Sequence, residues 1–493
     1  MSHDLQTQLS RITCDVRLID LIRASRTPEA IALKIEDKAI TYRQLAEMVN
    51  CLGLALMKNT FDGYLAICMV NGLEPAVAYL ACLRYGIKFA IVNPEIDSDA
   101  LKMILTTVSP AFVLTDSTTH GKSDLSAFHK IKVDLDELRL LEHTADLSWA
   151  NSEEDGEAVM VFSSGSTGQP KGICHSYRTL NALIDHSCLL YPSGIDLFSV
   201  PMAGLGGLQM LLSALVLRKT TRILVSSRPD QIVDAIHSYL PERVLLFPAI
   251  IARLVAESSS KDTWIHAIKE CHSGGDAISS ALMADFKKLS GIHIQHAYGM
   301  AEFGVILKSS DSIDAFPTFT RLSTSSHIRL TLLNDRNELA QPGEVGHLHV
   351  ESPSLMMGYR LREGELLISH QIPFPTNDFF KLCLDGSYKY IGRGNDLLKL
   401  GDNHVSIKEI EDIIRTESKC KDFVLFTNKH GGLAACVVRS VEQSSEQQQQ
   451  AIKKAAEVAF QPELQIRQIF FVDQLPLGAT GKIDRQKITQ LFN

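Results

Sequence analysis

Residues 162–172 read FSSGSTGQPKG, and their composition suits a loop that holds an anion. Glycines let the backbone bend tightly, and serine and threonine hydroxyls stand close to Lys171. A glycine-rich loop between a strand and a helix turns its backbone N–H groups inward, which makes a cradle for phosphate. We therefore predict that a strand over 157–162 runs into a phosphate-binding loop and that a helix starts near Ser176.

The common phosphate loop that carries a lysine, G-x-x-x-x-G-K-[ST], does not match this segment. Counting from Gly165, the second glycine position is occupied by Pro170, and Gly172 follows Lys171 where a magnesium-binding hydroxyl is required. These mismatches argue against a kinase- or GTPase-type loop. An ordinary turn rich in serine and glycine is the remaining alternative, and a stretch as long as SSGSTGQPKG argues against it.

Strands and helices alternate on either side of this loop. Short apolar runs of the kind buried on both faces in parallel sheets occur at YLAICMV (64–70), FAIVN, EAVMVF, RILVSS and RVLLFP. The segment EPAVAYLACLRYG has helical spacing, and Gly86 is placed to cap its carboxyl end. This alternation predicts an α/β fold with parallel-rich sheets covered by helices.

The pattern changes after about residue 390. DFVLFTNKHGGLAACVVRS predicts an antiparallel strand pair that turns at Gly431 and Gly432. SSEQQQQAIKKAAEVAF predicts a capped amphipathic helix, and IRQIFFVDQLP predicts another strand. Together these elements indicate a small α+β domain of roughly a hundred residues.

Composition narrows the class of protein. The chain has 493 residues, 45% of them hydrophobic, and a net charge of −8 without a block of like charges, which argues against nucleic acid as a partner. Its ten cysteines include no C-x-x-C pair, as expected of a reduced compartment. The start of the chain lacks a signal-peptide pattern, and the longest apolar stretch, LQMLLSALVL, is too short to span a membrane. We therefore expect a cytoplasmic protein without a membrane span.

The 162–172 segment closely resembles the signature loop of the AMP-forming, adenylate-forming enzymes, a superfamily of acyl-CoA synthetases, nonribosomal-peptide adenylation domains and luciferases. Six more segments resemble the family's other motifs, in the family's order. They are AITYRQLAEMVN (39–50), HSGGDAI (272–278), YGMAE (298–302), PTND (375–378), GRGNDLLKLGDNHVSIKEIE (392–411) and LPLGATGKIDR (475–485). Because the matches extend over nearly the full length, the sequence is identified as a member of this superfamily.

The resemblance implies a two-step reaction. A carboxylic acid would attack the α-phosphorus of ATP, with Mg²⁺ present, to give an acyl-adenylate and pyrophosphate. The acyl group would then pass to a thiol, either of coenzyme A or of a carrier protein's phosphopantetheine arm. The family's architecture implies a large multilayer amino-terminal domain over 1–391, a linker at 392–394 and a small mobile α+β domain over 395–493.

The resemblance also implies roles for individual residues. Lys482, Glu302 and Thr167 would be catalytic, with Glu302 holding Mg²⁺ and Lys482 bridging the substrate carboxylate and the α-phosphate. Asp378 would accept hydrogen bonds from the ribose hydroxyls, and Arg393 would contact the ribose-phosphate side. The nucleotide-binding set would comprise Ser163, Ser164, Gly165, Ser166, Thr167, Gly168, Lys171, Gly274, Gly275, Asp276, Tyr298, Gly299, Met300, Ala301, Asp378, Arg393, Lys399 and Lys482. The acid pocket would include Ala203, Gly204, Phe247, Pro248, Ser273, Gly274 and Met300.

Several residues depart from the family pattern. Ala301 stands where the family usually has a hydroxyl that touches the AMP phosphate. Asn377 replaces a glycine, and because Asn tolerates positive φ we expect the backbone to turn there nonetheless. Asn395 aligns with the hinge. His175 and His296 match no catalytic position of the family, and we interpret both as structural.

Two alternatives stay open. An amino-acid adenylation enzyme would need a carboxylate for the substrate ammonium, and SVPMAGLGGLQ (199–209), where the family places it, contains no acidic residue. We therefore predict an acid that lacks an α-ammonium. A degenerate member that binds ATP or AMP without catalysis is the second alternative. Ala301 favours it, whereas Glu302 and Lys482 argue against it.

Overall fold

The computed structural model describes residues 28–59, 62–138, 154–163, 170–226, 228–258, 262–276, 278–309, 318–322, 327–360, 366–367, 372–394, 397–400, 403–418, 423–428, 432–440, 444–460, 465–476 and 485–492. The chain divides into two compact units, Met1–Arg329 with Glu351–Ile372 and Leu330–Val350 with Pro373–Asn493. The domain boundary expected at residues 392–394 stays a prediction.

The described residues form strands and helices that we number in chain order. The strands are β1 (Ile31–Ile35), β2 (Lys38–Thr41), β3 (Leu65–Cys68), β4 (Phe89–Ile91), β5 (Phe112–Thr115), β6 (Lys130–Lys132), β7 (Glu157–Ser163), β8 (Lys171–Ser176), β9 (Leu197–Phe198), β10 (Thr221–Ile223), β11 (Arg243–Leu246), β12 (Glu270–Ser273), β13 (Ile294–Met300), β14 (Gly304–Ser309), β15 (Thr318–Arg321), β16 (Arg329–Leu333), β17 (Val345–Glu351), β18 (Gly358–Arg360), β19 (Leu366–Leu367), β20 (Phe374–Leu382), β21 (Tyr388–Arg393), β22 (Leu397–Leu400), β23 (Asn403–Ser406), β24 (Phe423–Thr427), β25 (Leu433–Val438) and β26 (Ile466–Val472).

The helices are α1 (Tyr42–Met57), α2 (Leu73–Tyr85), α3 (Ser98–Val108), α4 (Leu135–Leu138), α5 (Tyr177–Leu190), α6 (Leu205–Val216), α7 (Pro229–Tyr239), α8 (Pro248–Glu257), α9 (Thr263–Ala267), α10 (Ser280–Ser290), α11 (Ile407–Ser418), α12 (Ser445–Phe460) and α13 (Arg485–Phe492). Capping residues mark the ends of several helices. Thr41 and Gln44 form a capping box at the start of α1. Gly86, at φ +69°, caps α2 as predicted.

The first unit contains two parallel-rich sheets. One has eight strands in the order β19-β18-β8-β7-β4-β3-β5-β6, and β7, β4, β3, β5 and β6 are mutually parallel. In the other sheet, β1, β10, β9, β11, β12 and β13 run parallel, and β14 and β15 follow as antiparallel strands. The predicted parallel strands are confirmed.

Helices cover these sheets. α5 contacts β8 of the eight-stranded sheet and β14 of the other, so it lies between the two. A separate core of α7, α8, α9 and α10 packs on β11 and β12, around Trp264 and Phe286, which are both almost fully buried. Burial of large apolar side chains of this kind is the main favourable contribution to folding. The predicted multilayer α/β class is confirmed.

The second unit begins with β16, β17, β20 and β21, neighbours in that order. After them come the β22–β23 hairpin and a three-stranded sheet in which β24 and β25 are antiparallel and β26 is parallel to β25. Ser444 and Gln447 exchange hydrogen bonds of 3.3 Å and 2.9 Å at the start of α12. The strand pair, the capped helix and the last strand are confirmed, while Gly431 lies outside the described residues.

Within the part of the chain that the structure describes, none of the helices has the length and apolar character that crossing a bilayer requires.

Candidate functional site

The antiparallel strands β7 and β8, which flank the glycine-rich loop, form a β-hairpin. Ser163 and Lys171 are register partners at the open ends of β7 and β8, and residues 164–169 between them lie outside the described residues. The predicted order of strand, loop and helix omits one strand, because β8 comes before the helix and pairs with β7 and β18. The helix begins where expected: Ser176 is the N-cap of α5 and its hydroxyl accepts a hydrogen bond from the Thr179 N–H.

Glu302 lies in a turn whose backbone is held from three directions. The His175 Nε2–H donates to the Ala301 carbonyl at 2.8 Å. The Met356 N–H donates to the Glu302 carbonyl at 2.7 Å, and the Ser354 hydroxyl donates to the Phe303 carbonyl at 2.7 Å. Burial lowers the pKa of His175 to about 4, so the ring is neutral at physiological pH. The turn therefore holds Glu302, only 6% exposed, in a defined position.

Tyr359 connects Glu302 to the base of the hairpin. Its hydroxyl donates to Glu302 Oε1 at 2.9 Å, and the ammonium of Lys171 lies 5.2 Å from the centre of its ring. The register of β18 on β8, Tyr359 opposite Ile173, brings it there. Sequence reasoning missed Tyr359, because a short three-residue strand has no periodicity and its partner strand lies far away in the chain.

The parallel strands β9, β11 and β12 end at one edge of the second sheet of the first unit, beside β13. Leu246 is in register with Ser273, and Ser273 with His296, so Phe247 and Gly274, which follow β11 and β12, lie beside the middle of β13 at Ala297. The Phe247 N–H donates to the hydroxyl of Ser199, the residue after β9, at 3.0 Å. Ligands of open α/β sheets bind outside the carboxyl ends of the strands. This edge therefore brings together the segments expected to form the acid and adenine pockets.

Glycines shape this edge. Gly275 has φ +78°, and a Cβ there would come within 2.6 Å of the Phe247 ring. A Cβ on Gly299 would collide with the carbonyl oxygen of Gly304, across the β13–β14 hairpin. Gly204, at the start of α6, faces open space, since an added Cβ would meet no atom within 4 Å.

Asp378 and Arg393 are paired in the second unit. They are register partners on β20 and β21, and the Arg393 Nε lies 3.8 Å from Asp378 Oδ1. Asp378 is 5% exposed, and its N–H donates to Thr376 Oγ1 at 3.1 Å. Asn377 has φ +64°, which confirms that the backbone turns at this position as the replaced glycine would allow.

A sequence model for the family described as AMP-binding enzyme matches residues 22–360. The chain belongs to this family of AMP-binding enzymes. The match includes the hairpin, the turn with Glu302 and Tyr359, and it confirms the family identified from the motifs.

Curated relatives of this AMP-binding enzyme include subunits of surfactin synthase. Surfactin synthase subunit 2 of Bacillus subtilis (strain 168) is 25% identical over 94% of the chain, which covers 14% of that protein. Surfactin synthase subunit 3 of the same organism is 23% identical over 93% of the chain, or 37% of that protein. The chain thus spans well under half the length of these relatives.

Solved structures share the fold of this AMP-binding enzyme. The o-succinylbenzoate coenzyme A synthetase of Bacillus subtilis, in complex with AMP, superposes with a TM-score of 0.80 at 21% identity, covering 96% of this chain and 97% of that one. The anthranilate CoA ligase AuaEII, in complex with anthranoyl-AMP, gives 0.81 at 19% identity, with 98% of each chain covered.

The structure describes only part of the site expected for an AMP-binding enzyme. In the first unit, Tyr359 contacts both Lys171 and Glu302. Phe247 lies close to Gly275 in the same unit. In the second unit, Asp378 pairs with Arg393. Lys399 lies in β22. Outside the described residues are Ser164, Gly165, Ser166, Thr167, Gly168, Asn395, Gly401 and Lys482. The roles expected of all these residues stay predictions.

The donor set around Glu302 fits Mg²⁺ brought in with a nucleotide. In the described ranges, no group of three or more His, Cys, Asp or Glu side chains could form a metal site. Mg²⁺ bound with nucleotide phosphates needs only one or two protein carboxylates and keeps phosphate and water oxygens as its other ligands. Glu302 offers one buried carboxylate, oriented through its bond to Tyr359.

Proposed function

We propose that this AMP-binding enzyme activates a carboxylic acid with ATP and transfers the acyl group to a thiol. The substrate carboxylate attacks the α-phosphorus, the bond to the β-phosphate oxygen breaks, and acyl-adenylate and pyrophosphate result. The thiol then attacks the carbonyl carbon, loses its proton and displaces AMP, leaving a thioester. The observation that carries the proposal is the connection of the hairpin base to the buried Glu302 through Tyr359.

The first step of the proposed reaction suits the charged residues assigned to the phosphates. A carboxylate is a poor acyl donor until AMP becomes its leaving group, and the first step requires two anions to approach. Cationic groups that neutralise the phosphates lower that barrier. Lys171 supplies one positive charge at the hairpin base, and Glu302 would hold Mg²⁺, which neutralises phosphate charge when bound. Lys482 would add a charge at the α-phosphate.

The second unit supplies the groups that we assign to the ribose. Asp378 is a buried carboxylate that can accept two hydrogen bonds, and the 2′ and 3′ hydroxyls of the nucleotide are matching donors. Arg393, 51% exposed, pairs with it and would reach the phosphate side of the ribose. The family resemblance and this pairing both support the assignment.

We further propose that the acid lacks an α-ammonium group. No acidic residue occurs in residues 199–209, the segment that contains Ala203 and Gly204. Gly204 lies at the amino-terminal end of α6, where the helix dipole carries partial positive charge that opposes an ammonium. A buried ammonium without a counter-charge is costly. Acyl or aryl acids fit these surroundings better.

Amino-acid activation is the second candidate, and the similarity to surfactin synthase subunits favours it. The likeness to the o-succinylbenzoate and anthranilate ligases is one of fold and does not decide between acids. A carboxylate from a segment other than 199–209 would be needed to pair with the ammonium. The proposed reaction includes either thiol acceptor, coenzyme A or the phosphopantetheine arm of a carrier protein.

The test is ATP–pyrophosphate exchange with a panel of aliphatic acids, aryl acids and the twenty amino acids, followed by analysis of the nucleotide products. We expect AMP and pyrophosphate, formed only with Mg²⁺ and one class of acid, and an acyl thioester when a thiol is added. ADP and phosphate as the main products would exclude the reaction. Strong exchange with one amino acid and none with simple acids would establish the second candidate instead.

Glu302→Gln tests the site itself. Loss of the carboxylate should lower the exchange rate by ~10²-fold or more, since it removes the ligand that would hold Mg²⁺ at the reacting phosphates. Glu338→Gln, at an exposed position of a β-turn, is the matched control and should leave exchange unchanged. Equal rates for both variants would show that Glu302 has no part in the chemistry.

A further inference from the structure

The second unit contains an unusual bond between a histidine and a backbone amide. His347 lies on β17, and its Nε2 accepts a hydrogen bond from the Asn377 N–H of β20 at 2.7 Å. The β17–β20 register is irregular between His347 and His349, so the bond lies where the antiparallel ladder is interrupted. The His347 side chain thus supplies a hydrogen-bond acceptor for the Asn377 N–H where the backbone ladder is interrupted.

Asn377 has a backbone conformation that this hydrogen bond can support. Its φ of +64° is a conformation that costs free energy for any residue with a Cβ. The next residue is the buried Asp378, whose N–H is held by Thr376, and the Thr376 hydroxyl donates to the Leu348 carbonyl at 2.8 Å. The irregular segment of β20 around Asn377, called the bulge below, therefore has two hydrogen bonds to β17, one from Thr376 and one from Asn377.

The ring of His347 is itself held in place. It stacks on Phe379 with ring centres 5.3 Å apart and an angle of 21° between the planes. The His349 ring lies 4.7 Å away, with its Nδ1 3.2 Å from the His347 carbonyl oxygen. A pre-oriented ring loses little freedom when it accepts the bond, so its Nε2 is a well-placed acceptor.

We propose that His347 is a positioning residue for nucleotide binding: by accepting the Asn377 N–H through an unprotonated Nε2, it holds the bulge that places the Asp378 carboxylate for the ribose hydroxyls. The inference rests on the proposed function, since it takes Asp378 as the ribose ligand. His347 acts through the backbone and does not touch the nucleotide.

The bond gives nucleotide binding a specific dependence on pH. Burial, helped by the nearby His349, lowers the pKa of His347 below its ordinary value of 6.5. The neutral ring can accept the N–H, whereas an imidazolium carries protons on both nitrogens and cannot. The bond is thus fully present above pH 6.5 and is lost as the pH falls through the lowered pKa.

The surroundings of His347 contain few other charges. On its own strand the neighbour is His349, and on β20 the stacked residue is the uncharged Phe379, while Asp378 pairs with Arg393. On β16, the other neighbour of β17, the first residue is Arg329, which pairs with Glu351 at the end of β17, and residues 330–333 read LTLL.

The experiment compares three variants by calorimetric titration with ATP and with 2′,3′-dideoxy-ATP, between pH 8 and pH 5.5. His347→Phe keeps the stacked ring and removes the acceptor. His347→Gln keeps an acceptor oxygen at a similar reach and cannot titrate. His349→Gln is the matched control on the same face of β17. Thermal unfolding of each variant reports whether it is folded.

We expect His347→Phe to weaken ATP binding ~3–10-fold at pH 8, the effect of one lost hydrogen bond, and to leave dideoxy-ATP binding almost unchanged. His347→Gln should bind ATP like the wild type at pH 8 and lose the decline in affinity that the wild type and His349→Gln show toward pH 5.5. If His347→Phe does not fold, the comparison of His347→Gln with the wild type carries the test.

Three results would overturn the inference. The first is equal weakening of ATP and dideoxy-ATP in His347→Phe, which indicates general destabilisation. The second is an unchanged affinity in that variant, and the third is the same acid decline in His347→Gln as in the wild type. A fourth result, a wild-type protein that binds no ATP at all, differs from these three. It would refute the proposed function, and the inference with it.

A double-mutant cycle with Asn377→Gly adds a test of the bulge. Glycine adopts positive φ without strain, so the support from His347 matters less in that background. We expect His347→Phe to weaken ATP binding less than ~3-fold there. An undiminished effect would show that His347 acts by a route other than the Asn377 backbone.

Discussion

The bond between Tyr359 and Glu302 orients the carboxylate that we propose as the ligand of Mg²⁺. The 2.9 Å hydrogen bond occupies one carboxylate oxygen of a side chain that is only 6% exposed. The Tyr359 ring also supports the Lys171 ammonium at 5.2 Å, a separation at which a cation is attracted to an aromatic face. One residue thus orients both charges expected at the phosphates.

Tyr359→Phe separates these two contributions. The ring stays beneath Lys171, while the hydrogen bond to Glu302 is lost and the carboxylate is free to take other rotamers. We expect pyrophosphate exchange to fall ~10–100-fold and half-maximal exchange to require more Mg²⁺, since a hydrogen bond to a charged group typically contributes about 1.5–3 kcal/mol. Exchange rates measured across a Mg²⁺ titration check this.

The control for this substitution is Tyr239→Phe, in α7, where the ring stacks with Arg222. It should leave both the rate and the Mg²⁺ requirement unchanged. A Tyr359→Phe variant with a wild-type Mg²⁺ titration would mean that Glu302 keeps its orientation without the bond.

At the scale of elements, an ion pair connects the hairpin to the rest of the eight-stranded sheet. Arg360 on β18 donates from Nη2 to both carboxylate oxygens of Glu157 on β7 at 2.8 Å. The Tyr64 hydroxyl, beside β3, donates to the same carboxylate at 2.8 Å, and the guanidinium lies over the Tyr64 ring. Burial and this carboxylate raise the pKa of Tyr64 well above its ordinary value. The ion pair thus holds β18 close to β7, although the two strands are distant in the sequence.

Glu157→Ala should destabilise the first unit strongly. The side chains of Arg360 and Glu157 are only 16% and 12% exposed, so removing the carboxylate leaves an uncompensated, largely buried cation. Losses of about 3–5 kcal/mol are typical of such changes. Urea unfolding provides the measurement. Glu154→Ala is the matched control, because Glu154 pairs with Arg178 at an exposed site and should cost less than about 1 kcal/mol.

A loss no larger than that of Glu154→Ala would show that Arg360 finds other partners or becomes hydrated. The variant would then contradict the view that this ion pair holds the hairpin against β18.

At the scale of the whole molecule, acid stability depends on buried neutral histidines. Burial lowers the pKa of His175, His186 and His296 to about 4 in each case. In the unfolded chain each ring binds a proton below about pH 6.5, whereas in the folded protein it does so only near pH 4. The unfolded state therefore binds more protons between these values, and the free energy of unfolding falls as the pH is lowered.

The expected loss is about 3 kcal/mol per histidine between pH 7.5 and pH 4, an order-of-magnitude figure from the difference in pKa. His175→Gln, which keeps a donor for the Ala301 carbonyl but cannot titrate, should make the acid decline shallower. His266→Gln, at an exposed position of α9, should leave it unchanged. Urea unfolding at several pH values gives the slopes, and equal slopes for the two variants would contradict this account.

The two half-reactions provide a second prediction at this scale. Lys482 is expected to reach the α-phosphate in only one arrangement of the small domain, and a face near Lys399 and Gly401 is expected to serve thioester formation. Lys482→Ala should lower adenylate formation ~10²–10³-fold, while transfer from chemically prepared acyl-adenylate proceeds near the wild-type rate. Single-turnover assays of each step provide the measurement.

Asn395→Pro is the converse variant. Proline fixes φ at the expected hinge, so the second step should slow while the first is spared. Equal losses in both half-reactions for Lys482→Ala would mean that the lysine is structural or that the small domain does not alternate.

Local and periodic features of this protein were predictable from the sequence. The α2 helix with its Gly86 cap, the capped α12 helix and the β24–β25 pair follow from propensities and short-range bonds within a few residues. Buried apolar runs predict parallel strands wherever they occur, since both faces of such strands are covered. The family motifs identified the reaction class for the same reason: each is a contiguous segment with its own chemistry.

The partners of those segments were decided by the tertiary structure. Tyr359 meets Glu302 across 57 positions, His347 meets Asn377 across 30, and Arg360 meets Glu157 across 203. β8 also comes between the loop and α5, because its pairing with β7 and β18 prevails over the expected strand–loop–helix order. No local pattern encodes such pairs. They form only when strand register brings distant residues opposite each other, and register is set by how whole sheets bury their faces.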